Sequence, residues 1–180
     1  MSVQALSLVR VSRHSSGEPH FGKSGVNRFD DPSLLFRFGT CYLGENLTVA
    51  VSETVLHDKE PVNGQFQVAT VEASRRYAVA FAGGTLNLAD MTGAALKRSG
   101  ASSLLSTCDD YRIPQAWSRA IHTHPAKVDG ILYMSKNLNS HRAVVLYDRA
   151  ASKLAATIYT PLLSHADMTT AIRDLGITWI

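Results

Sequence analysis

Residues 41–58 constrain the fold of this chain most, because they combine the end of a strand, a turn and a capped helix. The triplet Gly44-Glu45-Asn46 is typical of a turn. Asn46 can then accept a hydrogen bond from an early helical N–H, as residues at this capping position do. Helical spacing of the residues that follow predicts a core-facing stripe, which consists of Leu47, Ala50, Val51, Thr54 and Val55.

Glu53 lies beside this stripe, between Val49 and Leu56 on the neighbouring face of the predicted helix. A carboxylate at the margin of a buried face costs free energy unless it is paired or lies in a wet cavity. The ordinary alternative is a glutamate at the solvent boundary of a helix. Glu53 is therefore the first candidate for a functional residue.

The composition is that of a globular protein, with 45% hydrophobic and 18% charged residues in a chain of 180. This length suits a single domain, which we predict over residues 1–180. No apolar run approaches the roughly 18 residues of a membrane span, and the N-terminus lacks a signal-peptide pattern. We therefore expect a cytoplasmic protein with no membrane contact. The net charge of +3 is dispersed along the chain, so we expect no direct binding of nucleic acid.

Potential metal ligands are few and poorly spaced. Cys41 and Cys108 lie far apart in the sequence, as expected of two free thiols in a reducing compartment. His122 and His124 would share one face of a strand, but they fall where a helix is predicted to end and lack a third ligand. We expect neither a metal nor a prosthetic group.

Strands and helices are predicted to mix irregularly rather than in repeated βαβ units, which indicates an α+β fold with mixed central β-sheets and flanking helices. Alternation predicts strands at residues 5–11 and 65–71, a short apolar run predicts one at 131–134, and residues 76–81, 143–147 and 154–159 are further strand candidates. An apolar segment at 34–38 leads into the strand that ends near Leu43. Helices are predicted at 90–97, at 114–122 and in a last segment that Gly176 ends.

Two arginines occupy positions where a guanidinium needs a partner. Arg10 lies in an otherwise apolar strand, so it must be paired, face a cleft or point to solvent, because it keeps its charge. Arg28 lies in the glycine-bearing loop of residues 25–29, which could present it to a phosphate. Pairing of Arg28 with Asp30 or Asp31 is an equal alternative.

Two further side chains stand at predicted strand ends. Ser135 directly follows the strand at 131–134, where its hydroxyl either serves a site or only ends the strand. Tyr42 either contacts a ligand through its ring or phenol, or packs in the core. The nucleophile-elbow pattern Gly-x-Ser-x-Gly of many hydrolases is absent from the sequence.

Together these segments resemble the RES domain, a family named for an arginine, a glutamate and a serine. The resemblance covers roughly residues 6–147 and rests on Leu8-Val9-Arg10-Val11, on Gly25-Val26-Asn27-Arg28-Phe29, on Tyr42-Leu43 with Glu53 eleven positions after Tyr42, on Gly130-Ile131-Leu132-Tyr133-Met134-Ser135, and on Val144-Val145-Leu146-Tyr147. Lys136 replaces the arginine that usually follows the serine, and Gly44 replaces a common alanine.

The resemblance implies a fold similar to ADP-ribosyltransferase toxins, and a toxin of a bacterial toxin–antitoxin system with NAD+ as its substrate. The implied reaction is cleavage of the nicotinamide–ribosyl bond by hydrolysis or phosphorolysis. Two alternatives are transfer of ADP-ribose to a target protein and a catalytically inactive NAD-binding module. The implied partner is a cognate antitoxin, often one with a helix-turn-helix DNA-binding domain, and a homodimer is left open.

The resemblance also implies roles for individual residues. Glu53, Arg10, Ser135 and Tyr42 are the catalytic candidates, and Arg10, Arg28, Tyr42 and Ser135 the substrate-binding ones. A carboxylate at Glu53 would stabilise the positive charge that develops at the anomeric carbon, and the arginines would bind the pyrophosphate. Tyr42 would contact the nicotinamide riboside, and Ser135 would orient the ribose or Glu53. We favour Arg10 over Arg28 for the pyrophosphate, because a strand holds its side chain more rigidly.

Overall fold

The computed structural model describes residues 1–33, 35 and 37–180, and this part of the chain contains ten strands and six α-helices. The strands are β1 (Ser2–Gln4), β2 (Val9–Ser12), β3 (Thr40–Gly44), β4 (Phe66–Val68), β5 (Tyr77–Gly83), β6 (Thr85–Met91), β7 (Gly130–Met134), β8 (Arg142–Tyr147), β9 (Leu154–Pro161) and β10 (Ile177–Trp179). The helices are α1 (Leu47–Ser52), α2 (Thr70–Ser74), α3 (Gly93–Arg98), α4 (Leu104–Thr107), α5 (Arg112–Thr123) and α6 (Met168–Leu175). Short 3-10 helices occupy Ala5–Ser7, Asp148–Lys153 and Leu162–Ser164.

Eight strands form one sheet in the order β1-β6-β7-β8-β3-β2-β5-β9, and β4 pairs with β10 separately. Within the large sheet β6 and β7 run parallel, and the other neighbouring pairs are antiparallel. The small sheet is parallel. The mixed sheets and the helices around them confirm the predicted α+β class.

The large sheet is least continuous between β2 and β3. β3 pairs with β8 along its whole length, and β2 pairs with β5 at all four of its residues. Between β2 and β3, however, the register contains a single pair, Val9 opposite Gly44. The two strands therefore separate beyond this pair, and a cleft lined by both of them opens there.

Helix α1 begins as the sequence predicts. Asn46 Oδ1 accepts a hydrogen bond from the Val49 N–H at 2.9 Å, which satisfies one of the free donors at the helix start. Gly44 lies directly against this first turn, since a Cβ there would stand 2.6 Å from the Ala50 nitrogen. The glycine that departs from the family pattern is thus required by the close approach of β3 to α1.

Helix α1 ends earlier than predicted. It stops at Ser52, and Glu53 is its C-cap rather than a residue of the helix interior. The Val51 carbonyl accepts from the N–H groups of the next turn, among them that of Val55 at 2.7 Å, so the chain turns tightly here. Val55 is buried as expected, but Thr54 is exposed, and its predicted place in the core is wrong.

Several other strand boundaries differ from the prediction. The strand expected at 5–11 is interrupted by the 3-10 turn Ala5–Ser7, which leaves Leu6 71% exposed. The strand expected at 65–71 ends at Val68, because α2 begins at Thr70. Strands β1, β6 and β10 were not predicted, and β6 takes the first residues of the helix expected at 90–97.

Most of the other predicted elements are confirmed, whereas helices α2 and α4 were not predicted. Strands β5, β7, β8 and β9, helix α5, and helix α6 with Gly176 in the left-handed conformation (φ 64°) all lie where the sequence placed them. In the segment expected at 34–38, Leu34 and Phe36 lie outside the described residues.

We expect Gly44→Ala to lower the free energy of unfolding by about 1–3 kcal/mol, because its methyl group would overlap the α1 backbone. Urea denaturation would measure this. Gly84→Ala is the matched control, since a Cβ at Gly84 would meet no atom within 4 Å. Equal stability of the two variants would contradict the proposed close packing.

Candidate active site

Glu53, at the end of α1, contacts Ser135, which directly follows β7. Ser135 Oγ donates a hydrogen bond to Glu53 Oε1, and the Asn137 N–H approaches the same oxygen at 3.4 Å. Ser135 Oγ also accepts from the Leu138 N–H at 3.0 Å. Glu53 Oε2 makes no hydrogen bond to any residue that the structure describes, and Glu53 lines the cleft. One carboxylate oxygen is thus held by the protein, while the other is available to a ligand.

Arg10 bridges the two strands where they separate. Its Nε donates to Glu18 Oε1 at 2.9 Å, and its Nη1 donates to the Tyr42 carbonyl at 3.1 Å. The Cys41 Sγ lies 3.6 Å from the same Nη1. The guanidinium is therefore paired at the wall of the cleft, and the alternative of a solvent-facing strand arginine is wrong.

Burial disfavours the charged forms of Arg10 and Glu18, but favourable interactions with their neighbours outweigh this effect. Burial lowers the pKa of Arg10, and its interactions with Cys41 and Glu18 outweigh that effect, so the pKa is raised overall. Burial likewise raises the pKa of Glu18, and the neighbouring guanidinium with several hydrogen bonds outweighs it, so that pKa is lowered overall. Burial raises the pKa of the Cys41 thiol to about 11. Because Cys41 keeps its proton at neutral pH, Glu18 is the charged partner of Arg10 there.

Arg28 belongs to a loop, residues 24–30, that Asp30 organises. Asp30 is buried, and its Oδ2 accepts from Ser24 Oγ at 2.8 Å and from the Asn27 N–H at 3.1 Å. Its Oδ1 accepts from the Tyr42 hydroxyl at 3.2 Å. Asp30 therefore fixes the shape of the loop, and it makes no ion pair with Arg28, contrary to the alternative that the sequence left open.

Tyr42 fastens this loop to β3. Its hydroxyl accepts from the Phe29 N–H at 2.9 Å while it donates to Asp30. Burial, and then the charge of Asp30, raise the pKa of Tyr42 well above its ordinary value, so the hydroxyl keeps its proton. The phenol is thus engaged by the protein itself, and the ring remains at the cleft wall.

Helix α5 holds the same loop from its other side. Gln115 Nε2 donates to the carbonyls of Gly25 and Asn27, both at 3.0 Å. Ser118 Oγ donates to the Phe29 carbonyl at 2.6 Å. Arg28 is consequently presented by a loop that is anchored on both sides.

Arg28 is only 8% exposed, yet no carboxylate lies within ion-pair distance of its guanidinium among the described residues. Its Nη1 donates to the Cys108 carbonyl at 2.7 Å, and the guanidinium lies over the Tyr111 ring at 4.7 Å. Arg28 also lines the cleft. A buried guanidinium without an ion-pair partner is well suited to bind an anion.

Lys136 occupies the position after the serine, where the family pattern has an arginine, and it forms an ion pair. Its Nζ pairs with Asp109 Oδ1 at 2.7 Å. Asp109 belongs to segment 108–111, which carries both the carbonyl and the ring that contact Arg28. The lysine thus links the end of β7 to the segment that covers Arg28.

The cleft has a volume of about 330 Å³, within the range of small-molecule sites. The structure brings four of the predicted residues, Arg10, Arg28, Tyr42 and Glu53, to its walls, and Ser135 lies behind Glu53. Sequence reasoning assigned no site role to the wall residue Tyr133, although β-alternation places it on the Ser135 face of β7.

Two other cleft residues were also missed. Tyr111 lines the cleft beside Arg28, and no motif in the sequence marks it. His57 lines the cleft four residues after Glu53. The predicted extension of α1 would have placed His57 near Glu53 by i, i+4 spacing, but the sequence offered no reason to assign it a role.

His122 and His124, which the sequence placed close together, make different contacts in the fold. The His122 ring stacks on Phe38 with 4.2 Å between ring centroids, and His124 Nδ1 accepts from the Ala126 N–H at 3.1 Å. Within the described residues, no group of three or more His, Cys, Asp or Glu could hold a metal ion. In the same part of the chain, no helix combines the length and apolar character needed to cross a membrane.

Comparison with known proteins supports the resemblance seen in the sequence. The family model of the RES domain matches residues 7–169. A relative from Sinorhizobium fredii, "Probable toxin y4kH", is 34% identical over 89 residues, which are 49% of this chain and 69% of the relative. A chain in the crystal structure of the M. tuberculosis MbcT–MbcA toxin–antitoxin complex has a TM-score of 0.58 and 14% sequence identity, over 93% of this chain and 87% of that one. At this identity the structural match shows a shared fold.

The Arg10–Glu18 pair predicts how stability depends on pH. Because folding lowers the pKa of Glu18, its contribution is complete above the ordinary value of 4.5 and is lost as the pH falls through the folded value. We expect Glu18→Gln to cost about 2 kcal/mol at pH 7 and less at pH 3, which lies below the ordinary pKa of 4.5. Urea denaturation at both pH values would test this, with the exposed Glu60→Gln as control. An equal loss at both pH values would contradict the assigned role of this ion pair.

Proposed function

The chain belongs to the RES domain family, and from this premise we propose that it is the toxin of a bacterial toxin–antitoxin system that cleaves the nicotinamide–ribosyl bond of NAD+. Two relatives support the toxin role, since the Sinorhizobium protein is named a probable toxin and the structural neighbour comes from a toxin–antitoxin complex. By analogy with that neighbour, the proposed partner is an antitoxin protein. The proposed site of action is the cytoplasm.

The main support for the proposal is the position of Glu53 at the wall of the cleft. Ser135 and Asn137 fix its Oε1, which leaves Oε2 without a partner among the described residues at the wall of the cleft. Nicotinamide leaves NAD+ as a neutral molecule, so no general acid is needed. The barrier lies instead in the positive charge that develops on the ribose, as in glycoside hydrolysis. A preorganised carboxylate lowers that barrier by electrostatic stabilisation.

The two arginines are suited to different roles. Arg10 is already neutralised by Glu18 and tied to the Tyr42 carbonyl, so we propose that it supports the cleft wall. Arg28 has no ion-pair partner among the described residues, so we propose that it binds the pyrophosphate. This assignment replaces the preference for Arg10 that rested on the rigidity of its strand.

The remaining candidates act through their neighbours in this proposal. The Ser135 hydroxyl orients Glu53, which is one of the two roles expected for it. The Tyr42 hydroxyl holds the Arg28 loop, while its ring stays available to stack on the nicotinamide riboside.

We expect Glu53→Gln to reduce nicotinamide release from NAD+ on the order of a hundredfold, because the neutral amide removes the charge that stabilises the transition state. Release would be followed with the purified chain by liquid chromatography. The exposed Glu60→Gln is the control and should retain full activity. Undiminished release from Glu53→Gln would overturn the proposed mechanism.

Mass spectrometry of the products, with and without inorganic phosphate and with protein targets, would identify the acceptor of ADP-ribose. Free ADP-ribose indicates hydrolysis, a phosphorylated ADP-ribose indicates phosphorolysis, and a labelled protein indicates transferase activity. Binding of NAD+ with no product from the wild-type chain would indicate an inactive binding module and contradict the proposal.

We expect Arg28→Lys to raise the KM for NAD+ about tenfold, because lysine lacks the planar pair of donors that matches a phosphate. Inhibition by ADP-ribose should weaken to a similar extent, whereas inhibition by nicotinamide, which has no phosphate, should not change. Arg173→Lys, at a side chain that is 74% exposed, is the control. Equal weakening of both inhibitors would argue against a phosphate contact at Arg28.

A further inference from the structure

Tyr133 is a buried tyrosine in the wall of the cleft. It lies on β7, two residues before Ser135, which directly follows the end of that strand. The residue is 4% exposed, and its ring packs on Phe29 at 4.7 Å between centroids. The position of the ring is therefore fixed by the core.

The hydroxyl of Tyr133 differs from those of the two other tyrosines at this part of the sheet. The Tyr42 hydroxyl bonds to Phe29 and Asp30, and the Tyr147 hydroxyl donates to the Ser118 carbonyl at 2.9 Å. The Tyr133 hydroxyl has no hydrogen-bond partner among the residues that the structure describes.

This hydroxyl is not sealed inside the protein. In the described part of the chain, the side-chain polar atoms that are both sealed from solvent and unpartnered belong to Arg76 and Arg149. The oxygen of Tyr133 is therefore accessible, and Tyr133 lines the cleft. A donor held by a buried, packed ring at the cleft wall is preorganised to bond a ligand.

The charges around Tyr133 indicate which part of a ligand it meets. Burial raises the pKa of its hydroxyl, the charge of Glu53 raises it further, and Arg28 acts in the opposite direction. The group therefore keeps its proton and acts as a donor, and it lies within the electrostatic reach of Glu53. A ligand atom that accepts from this hydroxyl would lie near the group that Glu53 contacts.

We propose that the Tyr133 hydroxyl is a substrate-contacting group that donates a hydrogen bond to an oxygen of the ribose that Glu53 also contacts. This inference rests on the proposed cleavage of NAD+. It adds a neutral donor to a site otherwise described by one carboxylate and two guanidinium groups. The ring positions the donor, and the substrate supplies the acceptor.

The test compares Tyr133→Phe with Tyr147→Phe in the full chain. Tyr133→Phe should lower kcat/KM for NAD+ about tenfold, because loss of the donor leaves a substrate oxygen unpaired. Its Tm without ligand should equal or exceed that of the wild type, since no protein hydrogen bond is lost. Tyr147→Phe loses its bond to the Ser118 carbonyl, so it should lower Tm and reduce kcat/KM less than Tyr133→Phe does.

Binding is measured separately with Glu53→Gln as the background, so that NAD+ is not consumed. Adding Tyr133→Phe to this variant should raise the Kd for NAD+ about tenfold by isothermal titration calorimetry. An unchanged Kd and kcat/KM would overturn the inference. So would a fall in Tm as large as that of Tyr147→Phe with unchanged kinetics, because the hydroxyl would then be structural.

Different results would contradict the proposed cleavage of NAD+ and the proposed role of Tyr133. If the wild-type chain releases no nicotinamide, the proposed function itself is wrong. If the wild type is active and Tyr133→Phe matches it in kcat/KM and Kd, only the role of Tyr133 is wrong.

Discussion

The cleft depends on the contact that Arg10 makes across the gap between β2 and β3. The strands share one register pair, Val9 opposite Gly44, and then separate. Arg10 spans the opening by donating to the Tyr42 carbonyl, while Glu18 neutralises its charge. A guanidinium is long enough and has enough donors to make both contacts at once. The sheet can therefore open at its centre without leaving a buried charge or carbonyl unsatisfied.

The opening gives the site two unlike walls. On one side, a helix end and a strand end meet, so that Ser135 holds Glu53 with one carboxylate oxygen free. On the other side, the loop that carries Arg28 is fixed by Asp30 and by donors from α5. The structure shows no ion pair between Glu53 and Arg28 among its described residues, so each charge remains available to a ligand. Such an arrangement suits a molecule that is anionic at one end and becomes cationic at the other during reaction.

The parts of the fold that could be predicted are those with a strong local signal. The cap at Asn46, the apolar runs of β7 and β8, and Gly176 after α6 each depend on neighbouring residues, and each prediction is confirmed. The failures have tertiary causes. Apolar spacing extended α1 to residues that are instead held in turns after Ser52, and Leu6 alternates like a strand residue although it lies in an exposed 3-10 turn. Strand β6 is different, because its buried Leu86 and Leu88 alternate with exposed residues and so carry a local strand signal.

The sequence by itself determined the α+β class and the candidate residues, because residue type and spacing alone identify the capped helix, the strand ends and the family motifs. Only the tertiary structure decided which of these residues the protein itself engages and which remain available to a ligand. Whether Arg10 or Arg28 keeps a free charge depends on Glu18 and on the carbonyl of Cys108, which lies 80 positions from Arg28. Whether a tyrosine hydroxyl forms a hydrogen bond within the protein depends on which groups lie beside it in the fold. The Tyr42 hydroxyl bonds to the Phe29 N–H, whereas Tyr133 lines the cleft. Hydrogen-bond partners are set by distances across the fold, and a linear pattern does not encode those distances.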